Sequence, residues 1–106
     1  MTELDKDNFD QIVLTHKGVF LVDFWSDTCE TCLEMMPQIE SLERDLAGRV
    51  SFGKVNIQGN RRLAIREKVL GLPTVAIYKD GQKVSSFSQQ FTADQVKAAV
   101  EELIGG

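Results

Sequence analysis

The sequence predicts an α/β fold, a mixed sheet with helices on both faces, and three observations carry that reading. Val19–Trp25 and Val50–Ile57 are short apolar runs, and between them apolar residues recur every three to four positions, which gives strand, helix, strand. Two later runs, Thr74–Lys79 and Lys83–Phe87, meet at Asp80-Gly81, a pair favoured in tight hairpin turns. An amphipathic segment then closes the chain, so a parallel unit and an antiparallel hairpin share one sheet with helices on both faces. At 106 residues, 42% of them hydrophobic, the chain is long enough for one core and too short for two, so one domain spanning residues 1–106 is expected.

Each element has a local reason. Asp7 is placed to cap a short helix carrying Phe9, Ile12, Val13 and Leu14, which ends near Lys17-Gly18. The Val19–Trp25 run has large side chains on both faces, as a central strand requires. A helix over about 30–47 follows, with Met35, Met36, Ile39, Leu42 and Leu46 on its buried face, Pro37 inside it and Gly48 closing it. Pro37 removes a backbone hydrogen bond and crowds the preceding turn, so a kink is expected there. After the second strand, Gln58-Gly59-Asn60 turns the chain into a short helix bearing Leu63, Ala64 and Ile65. The last helix opens with Thr92 as N-cap, Gln95 completing a capping box, and Phe91 set to staple against Val96. Val96, Ala99, Val100 and Leu103 form its buried stripe.

Charge and composition narrow the function. Twelve basic and sixteen acidic residues give a net charge of −4, and the sequence shows no Lys/Arg cluster suited to a phosphate backbone, so nucleic acid is not an expected partner. The N-terminus is polar and acidic, and no stretch approaches the roughly 18 consecutive apolar residues of a membrane span. The expectation is a cytoplasmic monomer with no membrane contact. In a reducing cytosol a lone vicinal cysteine pair is more often catalytic or metal-binding than a structural staple.

Cys29 and Cys32 are that pair, the only cysteines in the chain, three positions apart where the first long strand hands over to a helix. Cys29 at the helix N-terminus has unpaired backbone N–H groups and the helix dipole beside it, both favouring an anionic sulfur. Asp27, Glu30 and Glu34 surround it and oppose that effect, so the thiol is expected nearer its free value than the strongly depressed extreme. Zinc wants four ligands, and two cysteines with the distant His16 fall short, so neither a metal nor a bound cofactor is expected. His16 itself reads as an exposed residue at a helix end. Asp23 interrupts a run that is apolar on both faces, which places it in the interior, where a carboxyl without a partner takes a raised pKa. Lys54 shares strand parity with Val50 and Phe52, which turns it inward.

Asp23-Phe24-Trp25-Ser26 leading to Cys29-x-x-Cys32, Pro37 five residues on, Gly71-Leu72-Pro73-Thr74 and Lys79-Asp80-Gly81 occur in this order, and together they resemble the thioredoxin family over essentially the whole chain. The resemblance implies the thioredoxin fold, a central mixed sheet of four or five strands flanked by four helices, and a protein-disulfide reductase that carries electrons from a thioredoxin-reductase-like donor to disulfide-containing client proteins. On that reading the redox group is the Cys29–Cys32 disulfide itself. Disulfide exchange needs an exposed thiolate to attack and a second thiol to resolve, which makes Cys29 the nucleophile and Cys32 the resolving residue. Asp23 would accept the proton of Cys32, and Lys54, corresponding to the family lysine beside the buried aspartate, would tune Asp23 through a partly buried ion pair. A cis peptide before Pro73 would keep the Leu72 backbone unpaired for a client strand lying over Cys29. Trp25, Thr28, Glu30, Thr31, Leu72, Pro73 and Gln89 form the expected docking surface. Thr28, Glu30-Thr31, Leu33 and Gln89-Gln90 depart from the usual family pattern and bear on redox potential and partner fit. Two narrower readings stand beside the general reductase: a dedicated carrier for one client, and a redox-inert binding module using the groove beside Pro73.

Overall fold

Val19–Trp25 (β2) is apolar on both faces and lies in the middle of a five-stranded sheet, as its composition requires. A computed structural model describes residues 1–105, in the order β1 (Thr2–Leu4), a π-helical turn (Asp10–Leu14), β2, α1 (Glu30–Asp45), β3 (Val50–Asn56), α2 (Arg61–Arg66), β4 (Thr74–Lys79), β5 (Gln82–Ser88) and α3 (Ala93–Leu103). The spatial order of strands is β1-β3-β2-β4-β5. β1 and β2 run parallel to β3, while β4 is antiparallel to β2 and to β5. The sheet is therefore mixed, and with three α-helices and the π-helical turn the expected class and layering are observed among the described residues. No described helix is long and apolar enough to cross a membrane.

Strand alternation sends the sheet's side chains into two cores. Val19, Leu21, Phe52, Val75 and Ile77 pack against Ile39, Leu42 and Leu46 of α1 and its cap, and against Val96 and Val100 of α3. On the other face Phe20, Val22, Phe24, Val55, Ala76 and Tyr78 pack against Phe9, Val13 and Leu63. α1 continues as one helix through Pro37. At the hairpin, Asp80 (φ 52°) and Gly81 (φ 83°) both take left-handed backbone, the signature of the primed turn that matches strand twist. The α3 capping box forms as expected, with Gln95 N–H donating to Thr92 Oγ1 at 3.1 Å and Thr92 N–H to Gln95 Oε1 at 2.9 Å.

Three expectations need correction. β1 is a strand that the sequence did not announce: of its three residues only Leu4 is buried, so no alternation is legible, and pairing with β3 creates it. Asp7 does not cap the π-helical turn, whose N-cap position is Phe9 without a side-chain cap, and it is Asp5 that holds the residues leading into it. Asp5 Oδ1 accepts from Asp7 N–H at 2.8 Å and from Asn8 N–H at 3.0 Å. His16 is half-buried, its ring edge-on to Phe20 at 5.2 Å between centroids, because the end of the turn folds back onto β2.

Candidate active site

The sheet delivers β2 and β3 side by side with their C-terminal ends together, Asp23 beside Lys54 and Trp25 beside Asn56. From Trp25 the chain makes a tight turn held by Ser26, which is 5% exposed. Ser26 Oγ accepts from Thr28 N–H at 3.2 Å, and its carbonyl accepts from Cys29 N–H at 3.2 Å. That turn sets Cys29 as the N-cap of α1, in extended backbone, with its Sγ accepting from Cys32 N–H at 3.2 Å. An N–H of the first helical turn thus points at the sulfur, the arrangement that stabilises negative charge there. Cys29 and Cys32 form a disulfide with Cα atoms 5.2 Å apart. Cys29 is half-buried, whereas Cys32 is 1% exposed.

Asp23 lies on the α1/α3 face of β2, 2% exposed, and its Oδ2 has no hydrogen-bond partner among the described residues. Burial pushes its carboxyl up from 3.8 to about 7, against a weaker downward pull from the Lys54 ammonium. Lys54 is half-buried on the same face, as strand parity requires, yet the expected close ion pair does not form. Its Nζ stands over the Trp25 ring, 5.6 Å from the centroid, so a cation–π contact holds the ammonium and only its field reaches Asp23. Trp25 is half-buried, with an indole N–H that also lacks a partner among the described residues.

The other wall is the loop before β4. The Leu72–Pro73 peptide is cis. Register places Thr74 opposite Phe24, so Leu72-Pro73 runs past Trp25 toward the cysteine turn. The loop is braced below by Thr74 Oγ1 donating to Gly71 O at 2.5 Å and by Gln89 N–H donating to Pro73 O at 2.8 Å. The Leu72 N–H and C=O make no hydrogen bond among the described residues, leaving a short open strand edge. Gln89, in left-handed backbone at φ 66°, lays its side chain over Gly71. A Cβ at Gly71 would stand 2.7 Å from the Gln89 carboxamide, so a side chain there would push the flexible end of Gln89 aside. Glu30 and Thr31 are exposed beside Cys29, Thr28 and Leu72 border the site, and Pro73 is buried. Leu33, beside Cys32, is 46% exposed and adds an apolar spot to the rim.

Two contributors went unread in the sequence. Ser26 shapes the cysteine turn, and a serine two residues before a threonine after a strand was the available signal. Asn56 caps the end of β3, donating to Asp27 Oδ2 at 3.4 Å and accepting from Gln58 N–H at 3.0 Å, a role that only the β2–β3 register reveals.

A reachable cysteine bonded to a buried one at a helix start, reached from a strand that carries a buried carboxyl, defines a dithiol–disulfide exchange centre. Comparison with known proteins gives the same answer. The family model described as Thioredoxin matches residues 1–102. The chain is 50% identical over 105 residues to a thioredoxin of Acetoanaerobium sticklandii, covering 98% of this chain and all of that one. It is 42% identical to a thioredoxin of Peptoclostridium acidaminophilum over 106 residues, with 99% and 96% of the two chains covered, and 32% identical to one of Rhodospirillum rubrum over 104 residues, with 94% and 100% covered. The chain belongs to the thioredoxin family and is a dithiol–disulfide oxidoreductase of the protein-disulfide reductase type. The family's redox group is the cysteine pair itself, present here as Cys29–Cys32.

Proposed function

We propose that Cys29 is the attacking and Cys32 the resolving sulfur of this reductase, with Asp23 as proton acceptor and Lys54 adjusting it. The observation that carries the assignment is the difference in exposure, a half-buried Cys29 against a Cys32 that is 1% exposed. In the reduced protein the Cys29 thiolate attacks one sulfur of a client disulfide, forming a mixed disulfide and releasing the other sulfur as a thiolate. Cys32 then passes its proton to Asp23 and attacks the Cys29 sulfur. The second client thiolate leaves, the Cys29–Cys32 disulfide closes, and two electrons have moved to the client. A carboxyl raised to about 7 is matched to taking a proton at neutral pH. The open Leu72 backbone pairs with the client chain while Pro73, Trp25, Thr28, Glu30, Thr31 and Gln89 surround it. A thioredoxin-reductase-type donor restores the dithiol, and the protein works as a single-domain monomer in the cytoplasm.

The test is a trapping experiment on reduced variants offered a disulfide-bonded protein such as insulin. Cys32→Ser should accumulate a mixed disulfide through Cys29, seen by mass spectrometry and released by dithiothreitol, with multiple-turnover reduction lowered by at least about 1,000-fold. Cys29→Ser should accumulate none. A stable adduct on Cys32 in Cys29→Ser, with none in Cys32→Ser, would reverse the assignment.

A further inference from the structure

Although the chain carries a net charge of −4, one part of its surface is cationic. Lys6 follows β1, Arg61 and Arg62 open α2, and Arg66 ends it. Around Leu63 these four line two adjoining shallow depressions. The sequence places Lys6 more than 50 positions from the arginines, and the fold gathers them, with Lys6 N–H donating to Asn60 Oδ1 at 2.9 Å to hold the two segments together. This corrects the impression from composition that basic residues nowhere cluster. Arg66 is already committed to Asp10 at 2.6 Å and to Glu67 at 3.1 Å. Lys6, Arg61 and Arg62 are exposed and have no ion-pair partner among the described residues.

The cationic surface adjoins Trp25 and Lys54, two residues of the candidate site. Asn60 lines the depression that holds Lys6, Arg61 and Arg62, and it also lines a neighbouring one walled by Trp25 and Lys54. Glu3 and Asp5 line that connecting depression, so a phosphate backbone following the track would meet carboxylates. A protein segment carrying acid at one place and apolar groups at another meets no such conflict. Ile65 and Leu70, 71% and 94% exposed on the α2 side, offer the apolar contact. Around Cys29 the charged neighbours are Asp27, Glu30 and Glu34, all negative. A docking protein therefore faces negative charge around the attacking sulfur and positive charge along α2.

We propose that Lys6, Arg61 and Arg62 form a docking surface for an acidic segment of the client protein, orienting the client's disulfide toward Cys29. The proposal rests on disulfide exchange at Cys29 and deepens it by naming a client class. Opposite charges across an exposed interface raise the encounter rate and fix orientation, and salt screens both effects.

The probe is a cyclic disulfide peptide joined through a flexible linker to either four glutamates or four lysines, with a small aromatic disulfide as a control too short to reach α2. At low salt the glutamate peptide should be reduced with a kcat/KM about 3- to 10-fold above the lysine peptide. That preference should vanish in 0.5 M salt and in both Arg61→Glu/Arg62→Glu and the milder Arg61→Gln/Arg62→Gln. The small disulfide should be reduced at unchanged rate in each variant, which shows that the fold and the thiol chemistry persist. A preference that survives both variants, or a wild-type protein favouring the lysine peptide, would overturn the docking surface. So would Arg61- and Arg62-dependent binding of a single-stranded DNA 20-mer at 150 mM salt without any peptide preference. Loss of the small-disulfide reaction in wild-type protein would instead overturn the exchange reading on which the proposal rests.

Discussion

Asp23 and Tyr78 are buried on opposite faces of one sheet, and both have their acid forms favoured by burial, yet they are treated differently. Tyr78 is 1% exposed and donates its hydroxyl to Glu67 Oε1 at 2.5 Å, while Arg66 Nε holds the other carboxylate oxygen of Glu67 at 3.1 Å. Burial, and then Glu67, push the phenol well above its ordinary 10.0, so it is a satisfied neutral donor throughout the physiological range. Asp23 is as deeply placed but has one oxygen without a partner, and the nearby Lys54 ammonium is occupied by an indole ring. The face carrying Tyr78 closes its polar group off. The face carrying Asp23, which packs against α1 and α3, leaves a polar atom unsatisfied.

The comparison can be broken first at Asp23. As pH rises the unfolded chain loses this proton near 3.8, whereas the folded protein keeps it to about 7. Between those values the folded state holds the extra proton, so the stability of the oxidised protein should fall across that window, by about 4 kcal/mol in total, and level off above it. In Asp23→Asn, urea denaturation should show no such slope, a higher stability than wild type at pH 8, and slower release of the mixed disulfide. A wild-type profile that is flat from pH 4 to 7 would mean that Asp23 is solvated or paired after all.

Tyr78→Phe comes next. It should cost about 1–2 kcal/mol by stranding the Glu67 carboxylate, while leaving the pH 4–7 slope and insulin reduction unchanged. Its signature lies at alkaline pH: wild-type stability falls above about pH 10, where only the unfolded chain releases the phenolic proton, and the variant lacks that component. Lys54→Met is the smallest change, on the order of 0.2–1 kcal/mol at pH 8. Without the ammonium the Asp23 carboxyl should move further upward, so the slope should level off at a higher pH than in wild type. A downward move would show that Lys54 acts through packing on Trp25 and not through its charge.

Elements with strong local codes are legible in the sequence. The Asp80-Gly81 turn, the Thr92 and Gln95 capping box and the two-sided apolar run of β2 each state their conformation within a few residues. β1 has no such code, since Thr2 and Glu3 face solvent and only Leu4 enters the core. Lys54 shows a partial reading: parity placed it on the correct face, but whether its ammonium met Asp23 or the Trp25 ring depended on the full length of a flexible side chain. The active-site residues divide in the same way. Spacing and the helix start pointed to Cys29 and Cys32, while Ser26 and Asn56 act through hydrogen bonds that exist only once the turn and the register are set.

By itself the sequence determined the mixed α/β sheet, the redox pair at a strand-to-helix junction and a buried acid on the strand before it. Those features follow from periodicity, spacing and the position of one charge in an apolar run, all of which are local. Tertiary structure alone decided that Asp23 would go without a partner for one oxygen, that Gln89 would cover Gly71, and that Lys6 would join Arg61 and Arg62 on one surface. Each of these depends on segments far apart in the chain arriving at the same point, and no local pattern encodes the distance between them.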